Sequence, residues 1–201
     1  MKNTRCPWAK SENDIVYHDT EWGVPSHDDN YLFEMLILEG FQAGLSWNLI
    51  LNKRENFRKA FDNFDYKKIS KYDETKLAEL AENQGIVRNK LKIAASVKNA
   101  LAFMEVQKEF GSFDKYIWDF TDNKQIINNW KDVSEVPATT ELSDKISKDL
   151  KKRGFKFVGS TIIYSFLQAI GIVDDHLISC PYKKLTKWLF IQFYSYLIFL
   201  S

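Results

Sequence analysis

The chain has 201 residues, of which 45% are hydrophobic and 27% charged, and its formal net charge is +1. These values are ordinary for a globular protein and predict one compact domain or two small lobes. They exclude a basic character of the whole molecule, so any surface for a polyanion must be local. Aromatic residues are frequent, at 15% with six Trp, which is compatible with stacking surfaces or simply with an aromatic core.

The N-terminal segment is polar, MKNTRCPWAKSEND, and does not have the pattern of a signal peptide. We therefore expect a cytoplasmic protein, in which two cysteines do not form a disulfide scaffold. The segment up to residue 27 brings several chemically distinctive side chains close together in sequence. They are Cys6, Trp8, Tyr17, His18 and Trp22. Tyr17 and Trp22 fit either a small packing cluster or a binding surface.

The stretch 32–61 predicts two helices separated by a glycine-containing break. Leu32, Met35 and Leu36 lie on one helical face, and the next position on that face is Glu39. Glu39 is either a carboxylate at a helix end in water or a buried acid that is paired, neutralised or functional. Ser26 and Asp29 resemble a capping box for the first helix, and Ser46 is the predicted N-cap of the second, which begins at Trp47. An acid, a tight loop and a tryptophan together predict a pocket.

Residues 74–104 predict a helix, a turn containing Gly85 and a second helix from about Arg88. The residues expected to point inward on the second helix are Leu91, Ala94, Ala95, Ala102 and Met104. Between Asn83 and Met104 there is no acidic residue, but there are four basic residues, Arg88, Lys90, Lys92 and Lys98. This helix-hairpin-helix pattern is compatible with a clamp on a phosphate backbone or with a solvated charged face.

The remaining chain also favours helices. A helix starting at Thr140 or Ser143 should end near Gly154, and residues 158–170 predict a buried apolar helix. Lys152 and Arg153 belong to the run KKRGFKF. Its mixture of basic and aromatic residues is compatible with binding to nucleic acid, although basic residues also complement the dipole of a helix end. Sustained period-two alternation is missing from the sequence, so the predicted fold class is all-α.

Four residues have the types needed for a metal site. His176 and Cys180 are four positions apart, as on one helical turn, while Cys6 and His18 lie near the other end of the chain. Two Cys and two His can form a closed tetrahedral zinc site, which would be structural and would join the two ends of the chain. The alternative is two buried thiols and two surface histidines.

Several long strings resemble bacterial 3-methyladenine DNA glycosylase I between Arg5 and Tyr182. They are CPWA, YHDTEWGVP, LFEMLILEGFQAGLSW, KRENFR, NQGIVRNKLKI and KKRGFKFVGSTIIYSFLQAIGIVDDH, followed by Cys180. The resemblance implies an all-α helix-hairpin-helix DNA glycosylase fold with one structural Zn²⁺ per chain, bound by Cys6, His18, His176 and Cys180. It also implies excision of 3-methyladenine from double-stranded DNA by cleavage of the N-glycosidic bond.

The resemblance further implies roles for individual residues. Glu39 matches the pocket carboxylate, for which we expect the catalytic role, and the hairpin residues Gly85 and Val87 match a DNA-backbone clamp. Tyr17, Trp22 and Trp47 match the residues around the base, to which we add Trp8 as a further wall. Gln42, Gly44 and Leu45 match the loop that fills the gap left by the flipped base. The catalytic Asp of many related glycosylases has no obvious substitute here.

The chemistry accounts for that difference, because alkylation at N3 makes adenine cationic and a good leaving group. A cation is attracted to aromatic faces and to a carboxylate, which gives selectivity without a strong general acid. The expected protein is a monomer without a membrane partner that acts on DNA in the bacterial nucleoid. The alternative function is a non-catalytic module that binds damaged DNA and whose two chain ends are joined by zinc. Such a module would not need a pocket at Glu39.

Composition changes abruptly after residue 184. Residues 185–201 read LTKWLFIQFYSYLIFLS, with Lys187 as the one charged residue. This run is shorter than the roughly 20 residues that span a bilayer. We therefore predict a glycosylase domain over residues 1–184 and an atypical hydrophobic tail over residues 185–201, for which the sequence indicates no function.

Overall fold

The computed structural model describes residues 4–183, and the predicted tail, residues 185–201, lies outside the described residues. The described part is mainly helical, which confirms the all-α prediction. Its α-helices are α1 Glu12–Thr20, α2 Asp29–Gln42, α3 Trp47–Ala60, α4 Tyr66–Ile69, α5 Glu74–Glu82, α6 Lys90–Phe110, α7 Phe113–Asp119, α8 Glu141–Lys152 and α9 Ser160–Ala169. Two short strands, β1 Ile126–Ile127 and β2 Val173–Asp174, pair in parallel. No helix among these is long and apolar enough to cross a membrane.

Helix α2 is the centre of the fold. All of its residues from Leu32 to Phe41 are buried, and it contacts α3, α6, α7 and α9. A helix that is apolar on all sides is stable only when it is surrounded, so α2 forms the axis of the core. Its N-cap is Asp28 rather than the predicted Ser26. Asp29 instead accepts hydrogen bonds from the backbone N–H groups of Phe113 and Asp114 at the start of α7, at 3.0 and 2.8 Å.

A buried ion-pair network fixes α3 against α2. Arg54 on α3 donates to Glu34 on α2 at 2.6 Å and to Glu21 at 2.8 Å. Arg58 adds a second donor to Glu34 at 3.0 Å. Because removing one partner from a buried charge pair is strongly destabilising, this network sets the relative position of the helices that carry Glu39 and Trp47.

The hairpin between α5 and α6 lies where the sequence predicts it, but the second helix begins at Lys90 with Asn89 as N-cap. Ala95 and Ala102 are buried on its inward face as predicted, but the predicted face is wrong at Leu91. Leu91 is 75% exposed, whereas Lys92 and Ile93 are buried. Ile93 and Phe103 lie on the buried face of α6. Leu91 comes two positions before Ile93 and therefore points to the opposite side of the helix.

The segment that carries His176 and Cys180 is not the helical turn that their spacing suggests. It continues from β2 as extended chain and turns, and β2 pairs with β1. The Asn128 backbone N–H also donates to the carbonyl of Asp174 at 3.0 Å. The i, i+4 spacing therefore places these two residues together through a turn rather than through a helix.

Candidate active site and metal-binding cluster

A cavity of about 230 Å³ lies between α1, α2, α9 and the segment after β2. The structure brings five predicted pocket residues together on its wall, and these are Trp8, Tyr17, Trp22, Glu39 and Trp47. Further wall residues are Cys6, Gln42, Val133, Val136, Ser165, Gln168, Asp175 and Leu177. The cavity joins residues that are up to about 170 positions apart in sequence, so the fold has assembled one site from both ends of the chain.

Glu39 is the acid of this cavity. Its side chain is buried, with 4% of the residue exposed, and its Oε2 atom accepts no hydrogen bond from residues 4–183. Burial raises the pKa of Glu39 to about 8 because the charged form loses its hydration. A buried carboxylate oxygen without a donor is unfavourable on its own and is suited to a ligand that brings a positive charge or an N–H group.

Aromatic rings form the walls around Glu39. The ring centroids of Tyr17 and Trp47 are 5.2 Å apart, and those of Trp8 and Trp22 are 5.0 Å apart in an edge-to-face arrangement. The indole N–H of Trp47 is buried and donates to no acceptor among the described residues. The cavity therefore offers flat apolar faces, one free acceptor and one free donor, which are the groups that a planar heterocycle can satisfy.

Asp175 is a pocket residue that the sequence analysis did not identify. It is 1% exposed and accepts four hydrogen bonds from side chains. The donors are Asn128 and Trp130 at 2.7 Å each, Tyr164 at 2.5 Å and Gln168 at 2.6 Å. Because its four donors come from α9 and from the segment after β1, Asp175 ties these two parts of the chain into one wall of the cavity.

Val133 and Val136 are also missed by the sequence analysis. They belong to a short 3₁₀ turn and its end, in the polar region 112–138 for which the sequence gives no clear pattern. They follow Asn128 and Trp130 closely in the chain, and the side chains of those two residues donate to Asp175 on the same cavity. The signal that could have found them is two valines isolated in a polar segment.

The loop after α2 lies next to the cavity. Helix α2 ends at Gln42, and Gly44 follows with φ of +80°, a conformation that glycine adopts with little strain. The next residue, Leu45, is 39% exposed although it is apolar. A second cavity of about 150 Å³ is bounded by Glu39, Gln42 and this loop. The loop therefore presents an apolar side chain at the mouth of the site.

The hairpin presents basic residues to solvent at Arg88 and Lys90, beside Gly85 and the half-buried Val87. Lys92 differs from this expectation. It is 7% exposed, and its ammonium donates to the carbonyls of Phe41 and Ala43 at 2.9 and 2.6 Å. The Lys92 ammonium points into the protein towards these two carbonyls. The structure therefore does not support the predicted contact of Lys92 with a DNA phosphate.

The basic run at the end of α8 also divides into two kinds of residue. Lys152 is exposed. Arg153 instead donates to Asp149 and to Glu109 at 2.6 Å each, and its guanidinium lies over the ring of Phe110 at 5.0 Å. Two carboxylates engage Arg153, so it connects α8 to α6 and is not a free cation for DNA.

Cys6, His18 and Cys180 form a buried cluster that could hold a metal ion, with their ligand atoms within 4.8 Å of one another. His18 Nε2 lies 3.6 Å from the sulfur of Cys180, and its Nδ1 is 2.8 Å from Asp19. The Cys180 sulfur accepts a hydrogen bond from the Cys6 thiol, which lowers the pKa of Cys180 and raises the pKa of Cys6. A low thiol pKa favours the thiolate, which is the form that binds metals.

His176 lies beside this cluster. Its ring centroid is 4.7 Å from that of His18, and its Nδ1 is 2.9 Å from Asp174. Its Nε2 is buried and has no hydrogen-bond partner among the described residues. In both histidines a carboxylate holds Nδ1, as is found for metal-binding histidines. Nε2 contacts the Cys180 sulfur in His18 and has no partner among the described residues in His176.

The cluster and the cavity share their walls. The ring of Trp22 lies edge-on to that of His176, with centroids 4.7 Å apart, and stacks on His18 at 5.8 Å. A side chain at Gly23 would approach the His176 ring to 3.1 Å, and Gly23 has φ of +73°, so glycine is required there. The sequence segment 21–25 therefore places Trp22 between the two histidines and the cavity.

Comparisons with known proteins show which family the chain resembles. The methyladenine glycosylase family model matches residues 8–184. The DNA-3-methyladenine glycosylase of Haemophilus influenzae is 47% identical over 181 residues, which are 90% of this chain and 98% of the relative. A crystal structure of 3-methyladenine DNA glycosylase I matches with a TM-score of 0.86 and 45% identity, over 89% of this chain and 98% of that one.

A third match concerns ligand recognition. The structure that describes 3-methyladenine recognition by 3-methyladenine DNA glycosylase I of Staphylococcus aureus has a TM-score of 0.85 and 35% identity. It covers 87% of this chain and 93% of the other. Taken with the family match over most of the chain, these similarities show that the chain belongs to the methyladenine glycosylase family.

Proposed function

We propose that the chain holds an extruded 3-methyladenine in the cavity at Glu39, between the rings of Tyr17, Trp22 and Trp47. The protein is a DNA repair glycosylase that excises 3-methyladenine. The observation that supports the location is the buried Oε2 of Glu39 without a donor, inside an aromatic cavity. A module that only binds DNA does not need such a cavity, so the non-catalytic alternative is not favoured.

Charge gives the cavity its selectivity. The methylated base is cationic, so it lowers the pKa of Glu39 from its raised value and is attracted to the ionised carboxylate. The aromatic faces add a cation–π attraction. Neutral adenine gains little from either interaction. The cationic base is also a good leaving group, so water can complete the cleavage of the glycosidic bond once the base is held.

The two unpaired groups of the cavity match the edge of adenine. The N6 amino group of adenine donates hydrogen bonds, and N7 accepts them. The carboxylate oxygen of Glu39 is an acceptor without a donor, and the indole N–H of Trp47 is a donor without an acceptor. We infer that Glu39 binds the donor edge of the base and that Trp47 supplies an N–H to a ring nitrogen.

The metal of the cluster is proposed to be Zn²⁺, with His176 as the fourth ligand beside Cys6, His18 and Cys180. Two thiolates and two imidazoles would form a closed site, which would leave no position for substrate. A bound ion would thus contribute stability and hold Trp22 and the N-terminal segment, while the reaction would take place at Glu39.

Duplex DNA is proposed to contact three features around the cavity mouth. In the hairpin, Gly85 and Val87 would contact the DNA backbone, and the exposed cations Arg88 and Lys90 would contact its phosphates. In the loop after α2, Leu45 would fill the gap left by the flipped nucleotide, flanked by Gln42 and Gly44. Lys152 is a further exposed cation at the end of α8. We expect a monomeric cytoplasmic protein that meets its substrate at the nucleoid.

Released bases test the proposed function directly. The protein is incubated with duplex DNA treated with a methylating agent, and the soluble fraction is separated by chromatography. Free 3-methyladenine should appear, together with abasic sites that alkali cleaves. Retention of methylated DNA on the protein without any released base would instead support the binding module.

The raised pKa of Glu39 predicts a pH dependence. In the free enzyme Glu39 is largely neutral below about 8, so the ionised form and kcat/KM for excision should rise as pH increases towards that value and then level off. Glu39→Gln should remove this rise. The measurement is single-turnover kcat/KM for both proteins over a pH series with matched ionic strength.

Stability provides an independent check on the same group. The folded pKa of about 8 lies above the ordinary value of 4.5, so folding favours the neutral acid. The stability that Glu39 contributes to the folded state is fully present below pH 4.5 and is lost as the pH rises through 8. Glu39→Gln should therefore lose less stability than the parent over this interval in thermal melting. If the difference in melting temperature between the parent and Glu39→Gln were the same at every pH, the raised pKa of Glu39 would be contradicted.

The tail after residue 184 is proposed to lie outside the catalytic domain. Removal of residues 185–201 should leave excision unchanged and improve solubility, because an exposed apolar run promotes aggregation. The measurement compares released base and sedimentation for the two proteins. Loss of activity or of the metal in the shortened protein would show that the boundary at residue 184 is wrong.

A further inference from the structure

Lys92 is a buried cation that the reaction described above does not use. It lies in the first turn of α6, where the Asn89 side chain caps the backbone N–H of Lys92 at 3.1 Å. Its ammonium reaches across to the end of α2 and binds the carbonyls of Phe41 and Ala43. One side chain therefore connects the hairpin helix to the loop that begins at Gln42.

The two carbonyls are groups that a helix end leaves without backbone partners. The last carbonyls of α2 need hydrogen-bond donors, and a cation there also complements the helix dipole. The ammonium is partly removed from water, and this burial lowers the pKa of Lys92. The ring of Phe157, which has φ of +55°, lies 5.9 Å from the Lys92 ammonium. The cation is thus enclosed by protein rather than directed at a ligand.

Both ends of this link lie in parts of the protein that meet DNA in the proposed function. Lys90 and Arg88, two and four positions before Lys92, are exposed on the hairpin. Leu45 follows Ala43 by two positions and is exposed at the mouth of the site. Glu39 lies one helical turn before Ala43. A shift of the α2 end relative to the hairpin would therefore displace Leu45 from the place that backbone binding at the hairpin sets for it.

We propose that Lys92 is a positioning residue that fixes the loop 42–45 in register with the hairpin, so that backbone binding places Leu45 where the flipped nucleotide leaves. This inference rests on the excision activity above. It assigns Lys92 to base extrusion rather than to phosphate binding or to the binding of the free base. The two carbonyl contacts of the ammonium are the observation that carries it.

The test compares Lys92→Met with Lys90→Met and Lys98→Met. Methionine keeps an unbranched apolar chain but cannot donate to the two carbonyls. Lys98 is an exposed lysine on the same helix and serves as the control. Each protein is assayed for single-turnover excision against enzyme concentration, for duplex affinity against salt, and for free 3-methyladenine affinity by calorimetry. A 2-aminopurine next to the lesion reports extrusion by fluorescence.

For Lys92→Met we expect the rate at saturating enzyme to fall by about 100-fold, the loss that a misplacement of about 1 Å can produce. The extrusion signal should fall with it. The half-saturating concentration, the salt dependence and free-base affinity should stay close to those of the parent. Lys90→Met should instead lower duplex affinity and its salt dependence, with the saturated rate retained. Lys98→Met should resemble the parent.

Three results would overturn the proposal. They are an unchanged rate and extrusion signal, a change confined to duplex affinity as in Lys90→Met, or a parallel loss of free-base affinity. Because Lys92→Met leaves two carbonyls unpaired, Lys92→Arg is measured beside it at a temperature where both are folded. Arginine can donate to the same carbonyls and should recover most of the extrusion signal. Absence of released base from the parent would reject the proposed function instead.

Discussion

Glu39→Gln is expected to slow excision of 3-methyladenine by about 10- to 1000-fold, which corresponds to about 1.4–4 kcal/mol of transition-state stabilisation. Glutamine keeps the size of the side chain and some hydrogen bonding but cannot carry the negative charge. A charge-assisted hydrogen bond is roughly twice as strong as a neutral one. The affinity for free 3-methyladenine should also fall, as measured by calorimetry beside single-turnover excision.

The controls for Glu39→Gln separate the cavity from the DNA surface. Duplex affinity and its salt dependence should be unchanged, because phosphate contacts determine them. Glu141→Gln, which alters an exposed carboxylate in the first turn of α8, should behave as the parent in both assays. If Glu39→Gln binds the base and excises it as well as the parent, Glu39 does not recognise the base and the base binds elsewhere.

Cys180→Ser is expected to have the largest effect on stability. The thiolate of Cys180 is a ligand of the proposed zinc site, and metal binding is coupled to folding. Loss of one ligand should lower the free energy of unfolding by about 3 kcal/mol or more and the melting temperature by roughly 6–12 °C. The parent should contain about one zinc per chain by elemental analysis, and the variant less.

Two comparisons make the zinc result specific. Cys6→Ser should reproduce the loss of metal and stability, and chelation should destabilise the parent more than either variant. Excision by the molecules that remain folded should persist, because the site is closed and carries no substrate position. A parent protein without zinc whose melting is unchanged by chelation would reject the metal site.

The sequence was sufficient for the features that depend on local pattern. The hydrophobic stripe of α2 placed Glu39 at a core position, and the structure buries it there. Ser46 caps α3 and Thr140 caps α8, as their residue types predict. Gly154 has φ of +95° at the end of α8, as expected for a residue that ends a helix. These features are determined within a few residues of chain.

Features that depend on packing could not be predicted in this way. The basic run predicts Lys92 as a DNA contact, or alternatively as part of a solvated charged face. The helices packed around α6 instead bury Lys92 and leave Leu91 exposed. Asp175 follows a short strand, and its four donors come from α9 and from a polar segment without periodicity. Val133 and Val136, from that same polar segment, also line the cavity. Each case requires contacts between distant parts of the chain.

The location of the base is the central claim, and a crystal structure of the protein with 3-methyladenine bound tests it most directly. We expect the base in the cavity of about 230 Å³, against the rings of Tyr17 and Trp47, with an N–H group of the base within hydrogen-bond distance of Glu39 Oε2. A base bound outside this cavity, or one inside it that makes no contact with Glu39, would contradict the account.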